Sequence, residues 1–436
     1  MNKLSVRETL ALGFMTFALF LGAGNIIFPP FIGLQAGSQV WTAAAGFLVT
    51  GVGLPVLSVI ALAKAGGEMS NITTPVGRVA GSVLIVACYL FIGPLFASPR
   101  TATVSFELGM AAYTGHQGNA LYYYSFIYFT IAALVSLYPG RLLESVGQIL
   151  APLKIISIIV LGGAVAVLPA APLQTPVAEY AAAPLSSGIV NGYLTMDTLA
   201  GLAFGLVVVN AVRARGIASQ EHITRYTIRA GVIAGAGLAL VYLSLFMLGV
   251  KSTAIVPAAS NGADVLKAFV QHVFGVRGTL FLGVLITLAC LVTAIGLTCA
   301  CAAYFSTLTP FGYRPLVLFF AALSFAISCA GLDTLIRISV PVLVAVYPPL
   351  IMLIVMSFVR HLMSHPVRII APATTVALLC GLFDGLGAAG LARFVPDFYS
   401  ALPLHDQQMA WLLPAGVVLL LSFSAASIRH STQAVS

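Results

Sequence analysis

From Ala11 to Pro30 the chain reads Ala-Leu-Gly-Phe-Met-Thr-Phe-Ala-Leu-Phe-Leu-Gly-Ala-Gly-Asn-Ile-Ile-Phe-Pro-Pro. Ala11 to Leu21 is an apolar half-helix. Gly22-Ala23-Gly24-Asn25 then loosens the backbone, and Phe28-Pro29-Pro30 perturbs its continuation, because proline lacks an amide donor and clashes with the preceding turn. A membrane crossing needs about 20 mainly apolar residues, so this span is expected to break near mid-membrane. Backbone opened at that depth is tolerated only where protein buries it or it lines a wet cavity, since lipid satisfies neither amides nor carbonyls. Half-helix amides suit a carboxylate, and freed carbonyls with the Asn25 side-chain oxygen suit a cation. The alternative is a tight glycine crossing between helices, with Asn25 as a polar tie.

Outward from this stretch the chain keeps the same character. Its 436 residues are 60% hydrophobic and 7% charged, against roughly a quarter charged in a soluble domain. Hydropathy predicts twelve spans, at about 10–34, 40–63, 79–106, 121–138, 147–168, 190–211, 226–249, 279–304, 315–332, 335–358, 370–391 and 408–428. No hydrophilic linker divides residues 1–436, which read as a single transmembrane domain. Lys3 and Arg7 before an apolar run imitate a secretory signal, but the run leads straight into more apolar sequence, so the first span is expected to be retained. Fourteen of the 20 basic residues fall on one side of the spans and six on the other, which places both termini in the cytoplasm. The net charge of +8 is therefore a topology signal and calls for no nucleic-acid partner. The six cysteines all lie within spans and read as packing residues.

The sixth span carries the one acid placed deep in a helix, Asp197, within Thr195-Met196-Asp197-Thr198-Leu199-Ala200-Gly201. A charge at helix centre costs roughly 2.5 to 3.5 kcal/mol on insertion scales, so it faces a cavity or a partner. Asp197 could ligate a cation, pair with a substrate ammonium group, take up a coupling proton, or shape the break. Gly13-Phe14-Met15-Thr16 is echoed by Gly192-Tyr193-Leu194-Thr195 in a span running the opposite way. Corresponding broken helices in inverted halves point to a transporter binding site.

In the eighth span the Ile295 carbonyl and the Thr298 hydroxyl share a face and offer two oxygen ligands, unless the threonine only packs. Arg100 and Glu107, late in the third span, suit an outer ion-pair gate or snorkelling at the interface. Asp384 is expected to cap a helix end near the outer face. Ser260-Asn261 is expected to cap an amphipathic helix with Val265, Leu266, Phe269, Val270 and Val273 on one face, either a lid or a surface connector. The motifs G-x-S-x-G, H-E-x-x-H, C-x-x-C and the phosphate-binding loop do not occur, so no enzyme signature stands out and ATP-driven pumping would need a partner subunit.

Several of these segments carry a resemblance: Ala11 to Phe20 with Gly22 to Pro30, Gly93 to Ala97, Pro99 to Glu107, Asn191 to Leu199, Leu297 to Cys301 and Ser339 to Leu343. Together they resemble the bacterial branched-chain amino acid:cation symporter family of BrnQ type (LIV-II carriers), over essentially the whole chain. The resemblance implies import of leucine, isoleucine and valine across the bacterial cytoplasmic membrane. The coupling cation is usually sodium, with lithium or a proton as alternatives, and no cofactor or ATPase subunit is expected. It also implies an all-α fold of the amino acid-polyamine-organocation type, with helices 1 and 6 broken. Two inverted five-helix repeats would lie at about 10–168 and 190–358, followed by two additional helices over 370–428.

By the same resemblance Gly22, Ala23, Gly24 and Asn25, with Thr195, Asp197, Thr198 and Ala200, would flank the substrate. The carbonyls of Ala18, Leu21 and Ile295 with the Thr298 hydroxyl would form a sodium site. Cys299 departs from the pattern of more distant relatives, which have a second hydroxyl there. Sulfur is a poor ligand for a hard cation, so that site has one ligand fewer or water completes it. Other readings are the same architecture carrying another neutral amino acid or a nucleobase, a channel, or a membrane-embedded enzyme.

Overall fold

The computed structural model describes residues 4–114, 119–138, 156, 159–167, 173–363 and 365–433, and every regular element among them is helical. The first helix, α1 (Val6–Phe20), starts at a reciprocal cap: the Glu8 amide donates to Ser5 Oγ (3.2 Å) and the Ser5 amide to Glu8 Oε2 (2.7 Å). It stops at Leu21 (φ −69, ψ 82), and after extended Gly22 (φ −105, ψ −165) the chain resumes as α2 (Ala23–Ala36). The break thus falls at Leu21 and Gly22, just ahead of the expected Gly22–Asn25, and Ala23, Gly24 and Asn25 form the first turn of α2. Pro29 and Pro30 do not end that helix. They strip the carbonyls one turn earlier of their usual amide donors.

A turn at Gly37 leads to α3 (Val40–Leu48), a π-helical turn over Val49–Gly53 and α4 (Leu54–Lys64). The third span is also interrupted. Between α5 (Arg78–Leu90) and α6 (Ala97–Gly109) lies a second π-helical turn, Phe91–Leu95, where Gly93 leaves the helical region and Pro94 follows. Then come α7 (Ala120–Ser136) and a second broken pair, α8 (Pro184–Tyr193) and α9 (Asp197–Arg213), bent by 45°. The remaining long helices are α10 (Gln220–Lys251), α11 (Gly262–Leu308), α12 (Tyr313–Ser328), α13 (Leu332–Val359), α14 (Pro366–Ala388) and α15 (Leu412–Gln433).

Among the described residues six helical stretches are long and apolar enough to cross a membrane, or seven with the bent pair as one. Two things separate that number from the twelve stretches of the hydropathy reading. Breaks cut spans into pieces shorter than a crossing, and Ala23–Lys64, 42 residues of continuous helical turns, merges two expected spans across the Gly37 turn. The expected span at 147–168 falls mostly outside the described residues; 159–167 of it is helical. The outside of the bundle is apolar, with Val79, Leu240, Phe281, Phe319 and Leu420 all exposed, as a protein solvated by lipid requires.

α11 contains the expected amphipathic segment. Asn261 accepts from the Ala263 and Asp264 amides (2.9 and 3.2 Å), Val265, Leu266, Phe269 and Val270 are buried, and left-handed Gly275 (φ 65) separates this segment from the longer apolar run. The α2–α10 crossing is close enough that a Cβ at Gly33 would overlap the Phe246 carbonyl and one at Gly249 the Pro30 carbonyl. Small residues at such a crossing let two backbones touch, and this one ties α10 to the broken first span.

Candidate functional site

At the first break, Asn25 folds back so that its Oδ1 accepts the Gly22 amide (3.1 Å). Its Nδ2 then reaches across to α9, donating to Asp197 Oδ2 (2.5 Å) and to the Tyr242 hydroxyl of α10. Tyr242 in turn donates to Asp197 Oδ2 (2.9 Å). All three residues are buried. Three spans are thereby joined by one hydrogen-bonded triangle, and a satisfied polar network of this kind is rigid in a low-dielectric interior. Both donors converge on Oδ2, and the Thr195 side chain also stands against this carboxylate.

The second break is built differently. Leu194, Thr195 and Met196 separate α8 from α9, and Met196 is held at φ 62, ψ 12, a left-handed conformation that non-glycine residues adopt at a cost of order 1 kcal/mol or more. Thr195 braces the turn: its hydroxyl donates to the Gly192 carbonyl (3.0 Å) and accepts from the Asp197 amide (3.3 Å). Asp197 opens α9, where a negative charge suits the positive end of the helix dipole. The two breaks touch: a Cβ at Gly24 would stand 3.3 Å from Thr195 Cα and 3.4 Å from the Leu194 carbonyl oxygen.

A cavity lies between them. Its wall includes Gly22 to Asn25, Thr195 to Asp197, Ala200, Arg100 and Thr101, closed by Leu19, Phe20, Ala97, Phe204, Thr293 and Leu297. Asp197 and Arg100 are the two charged side chains in that wall, and apart from them the lining is neutral and largely apolar. Arg100 does not snorkel. Only 2% exposed, it donates from Nη1 to the Leu194 carbonyl (2.6 Å) and from Nη2 to Ser339 Oγ (2.8 Å), and lies over the Phe28 ring. The interruption before α6 explains its depth, because Arg100 sits in the first turn of a new half-helix. Glu107 lies two turns further along α6 and is half-buried.

Other expected residues lie at varying distances from this cavity. Ala200 lines it; Thr198 is buried outside its wall, beside the Tyr347 hydroxyl. On α11, Thr293 and Leu297 face the cavity, whereas Ile295 and Thr298 are buried outside its wall. Thr293 lies 3.6 Å from where a Gly22 Cβ would be. The Cys299 thiol is directed at the Ser136 carbonyl (4.0 Å), toward α7. Asp384 caps nothing: it is buried within α14, beside the Tyr399 hydroxyl. The echo at Gly13–Thr16 is out of register, since Gly13 precedes Leu21 by eight residues and Gly192 precedes Leu194 by two.

Sequence reasoning passed over Tyr242, and noted Thr293 among the small polar residues of its span without giving it a role. Each sits in a long apolar helix where hydropathy sees only a span; a phenol in mid-span was the available signal. Among the described residues no group of three or more His, Cys, Asp or Glu side chains forms a metal cluster.

A family profile described as "Branched-chain amino acid transport protein" matches residues 5–429. The "Branched-chain amino acid transport system 3 carrier protein" of Pseudomonas aeruginosa is 57% identical over 419 residues, covering 96% of each chain. The "Branched-chain amino acid permease BrnQ" of Escherichia coli K12 is 53% identical, covering 97% of this chain and 96% of its own. Among solved structures, Mhp1, a nucleobase-cation-symport-1 family transporter in a closed conformation, superposes with a TM-score of 0.61 at 15% identity, covering 97% of this chain and 93% of that one. MhsT in complex with L-phenylalanine gives 0.54 at 15% identity, covering 95% and 98%. The last two likenesses concern the fold, a multi-span helical architecture shared with these transporters. With the profile spanning nearly all its length and relatives identical at more than half their positions, this chain belongs to the branched-chain amino acid transport protein family.

Proposed function

We propose that this chain is a secondary active symporter that imports leucine, isoleucine and valine together with a monovalent cation, sodium first among the candidates. The observation that carries this reading is the cavity between the two breaks: one acid, one base and an otherwise neutral, mostly apolar wall. A zwitterion with an aliphatic side chain matches all three features in chemistry, while the cavity volume, about 30 Å³, is that of a closed site which must widen to admit it. The ammonium group meets Asp197 and the Thr195–Ala200 segment. The carboxylate meets the free amides of Ala23 and Gly24 at the start of α2, where the helix dipole is positive. Phe20, Phe204, Leu19 and Leu297 surround the side chain.

The cation is assigned to the carbonyls of Ala18, Leu21 and Ile295 with the Thr298 hydroxyl, hard oxygen donors that suit sodium. Cys299 is turned toward α7, so that set either has one ligand fewer or is completed by water. The full arrangement is twelve spans with both termini cytoplasmic: two inverted repeats at about 10–168 and 190–358, then two additional helices over 370–428. Transport runs by alternating access. The cation orders the first break, substrate joins the two half-helices, and the bundle carrying them rocks against the rest. Arg100, tied to Leu194 and Ser339, serves as the outer latch, with Glu107 beyond it.

Membrane potential supplies about 2.3 kcal/mol per charge per 100 mV, and 1.4 kcal/mol is a factor of ten. One coupled cation therefore supports roughly forty-fold accumulation.

The test is labelled-leucine uptake into proteoliposomes with sodium, lithium and proton gradients imposed separately, and with unlabelled solutes as competitors. Sodium-driven accumulation, competed by isoleucine and valine, is expected. Uptake driven by pH alone and abolished in Asp197→Asn would make the acid a proton carrier and remove sodium from the scheme. Failure of every gradient to concentrate leucine would sink the reading. Thr298→Ala is expected to raise the half-saturating sodium concentration by about tenfold, the worth of one hydrogen-bond-like ligand. Its order of preference among the three amino acids stays unchanged, as uptake titrated against sodium will show.

A further inference from the structure

The two charges in the cavity wall are satisfied to different degrees. Asp197 receives donors from Asn25 and Tyr242 on a single oxygen. Arg100 is buried, its two described hydrogen bonds go to a neutral carbonyl and a neutral hydroxyl, and its Nε has no partner among the described residues. A guanidinium taken out of water needs an anion or a full set of acceptors, and an N–H left unmade in a buried site is costly. The acceptor that Arg100 does hold, the Leu194 carbonyl, packs directly against Gly24, and Arg100 lines the same cavity as Ala23 and Gly24 at the start of α2. Phe28 supports it from one face, at 5.3 Å from ring centre to Cζ. A rigid planar fork of this kind fits a carboxylate at two points.

The geometry points to Arg100 as the residue that holds the α-carboxylate of the transported amino acid, opposite Asp197, which takes the ammonium group. This rests on the proposed function and deepens it. It adds a cationic anchor to the helix amides and makes the backbone of the substrate, rather than its side chain, the part read by charge. An amine without a carboxylate leaves Arg100 unpaired. A latch with no ligand contact would instead treat all ligands alike.

The test uses the purified full-length protein in sodium gluconate, with ligand-induced shifts in Tm read as titrations so that weak ligands are measurable. The ligands are L-leucine and 3-methylbutylamine, which is leucine without its carboxylate. In the unaltered protein leucine should bind about a hundredfold tighter than the amine, the scale of a buried charge pair. In Arg100→Gln that ratio should collapse to within about threefold, through loss of leucine affinity with the amine nearly unchanged. Arg100→Lys, which keeps the charge but loses the fork, should retain about tenfold. Ser339→Ala, which removes one latch bond and leaves the guanidinium, should keep the full ratio.

An unchanged ratio in Arg100→Gln overturns the inference. If that variant does not fold, an unchanged ratio in Arg100→Lys overturns it equally. By contrast, an unaltered protein stabilised by some other solute and not by leucine defeats the proposed function itself.

Discussion

The two breaks that meet across the cavity are made by opposite means. The first is two residues long, uses ordinary backbone angles at Leu21 and Gly22, and is closed locally when Asn25 turns back onto the Gly22 amide. The second is three residues long, forces a methionine into left-handed backbone, and depends on Thr195 and on packing from other helices to stay there. The glycine-rich break thus needs no glycine conformation, while the break without a glycine at its turn carries the strain. Gly24 serves the close approach to Thr195, and the strained segment positions the acid. Strain stored beside a site is affordable only when surrounding structure over-determines it.

That contrast can be tested in order of expected effect. Asp197→Asn removes the charge at the strained break and should lower leucine uptake by about a hundredfold, measured as initial rates in proteoliposomes. A variant keeping more than half its rate would show that the second break shapes the site without taking part in it. Tyr242→Phe deletes one of the two donors on Asp197 while Asn25 remains, so leucine affinity should weaken by about tenfold, as read by a competition titration. Equal affinity in that variant would mean the phenol is packing.

Gly24→Ala places a methyl 3.3 Å from Thr195 Cα. Parting the two breaks by a few tenths of an ångström should cost about 1 kcal/mol, seen as a lower Tm and a several-fold drop in uptake. Gly22→Ala should do least. Its backbone is extended and the nearest atoms to an added Cβ are at 3.6 Å, so uptake should stay within about twofold of the unaltered protein. A large loss there, with little at Gly24, would reverse the account of why the motif is glycine-rich.

Much of this site was legible because membrane insertion penalises certain residues. Asp197 and Asn25 stand out in apolar spans, and the structure brings them into direct contact. The cap at Asn261 and the buried face of its helix could likewise be read from residue order, since capping is local and periodicity is a property of the chain alone. Arg100 was misplaced toward the interface because its depth depends on a break in the third span, at Gly93-Pro94, that hydropathy averages over. Tyr242 was missed because a tyrosine in an apolar helix gives no periodic signal; only the crossing of α2 over α10 makes it a partner of Asp197. Asp384 shows the same limit, having looked like a helix cap when its environment is the buried side of α14.

By itself, then, the sequence determined that this protein is membrane-embedded, that its first span breaks near Gly22, and that an acid in the sixth span is costly enough to demand a purpose. Those conclusions follow from composition, proline and glycine chemistry, and the price of charge in lipid, all of them local. Only the tertiary structure decided that the acid is held by a phenol from a third helix, that the second break is strained, and that a buried arginine shares the cavity. These depend on which helix faces cross, and a linear pattern of apolar residues leaves that open because any apolar face can meet any other in a bilayer.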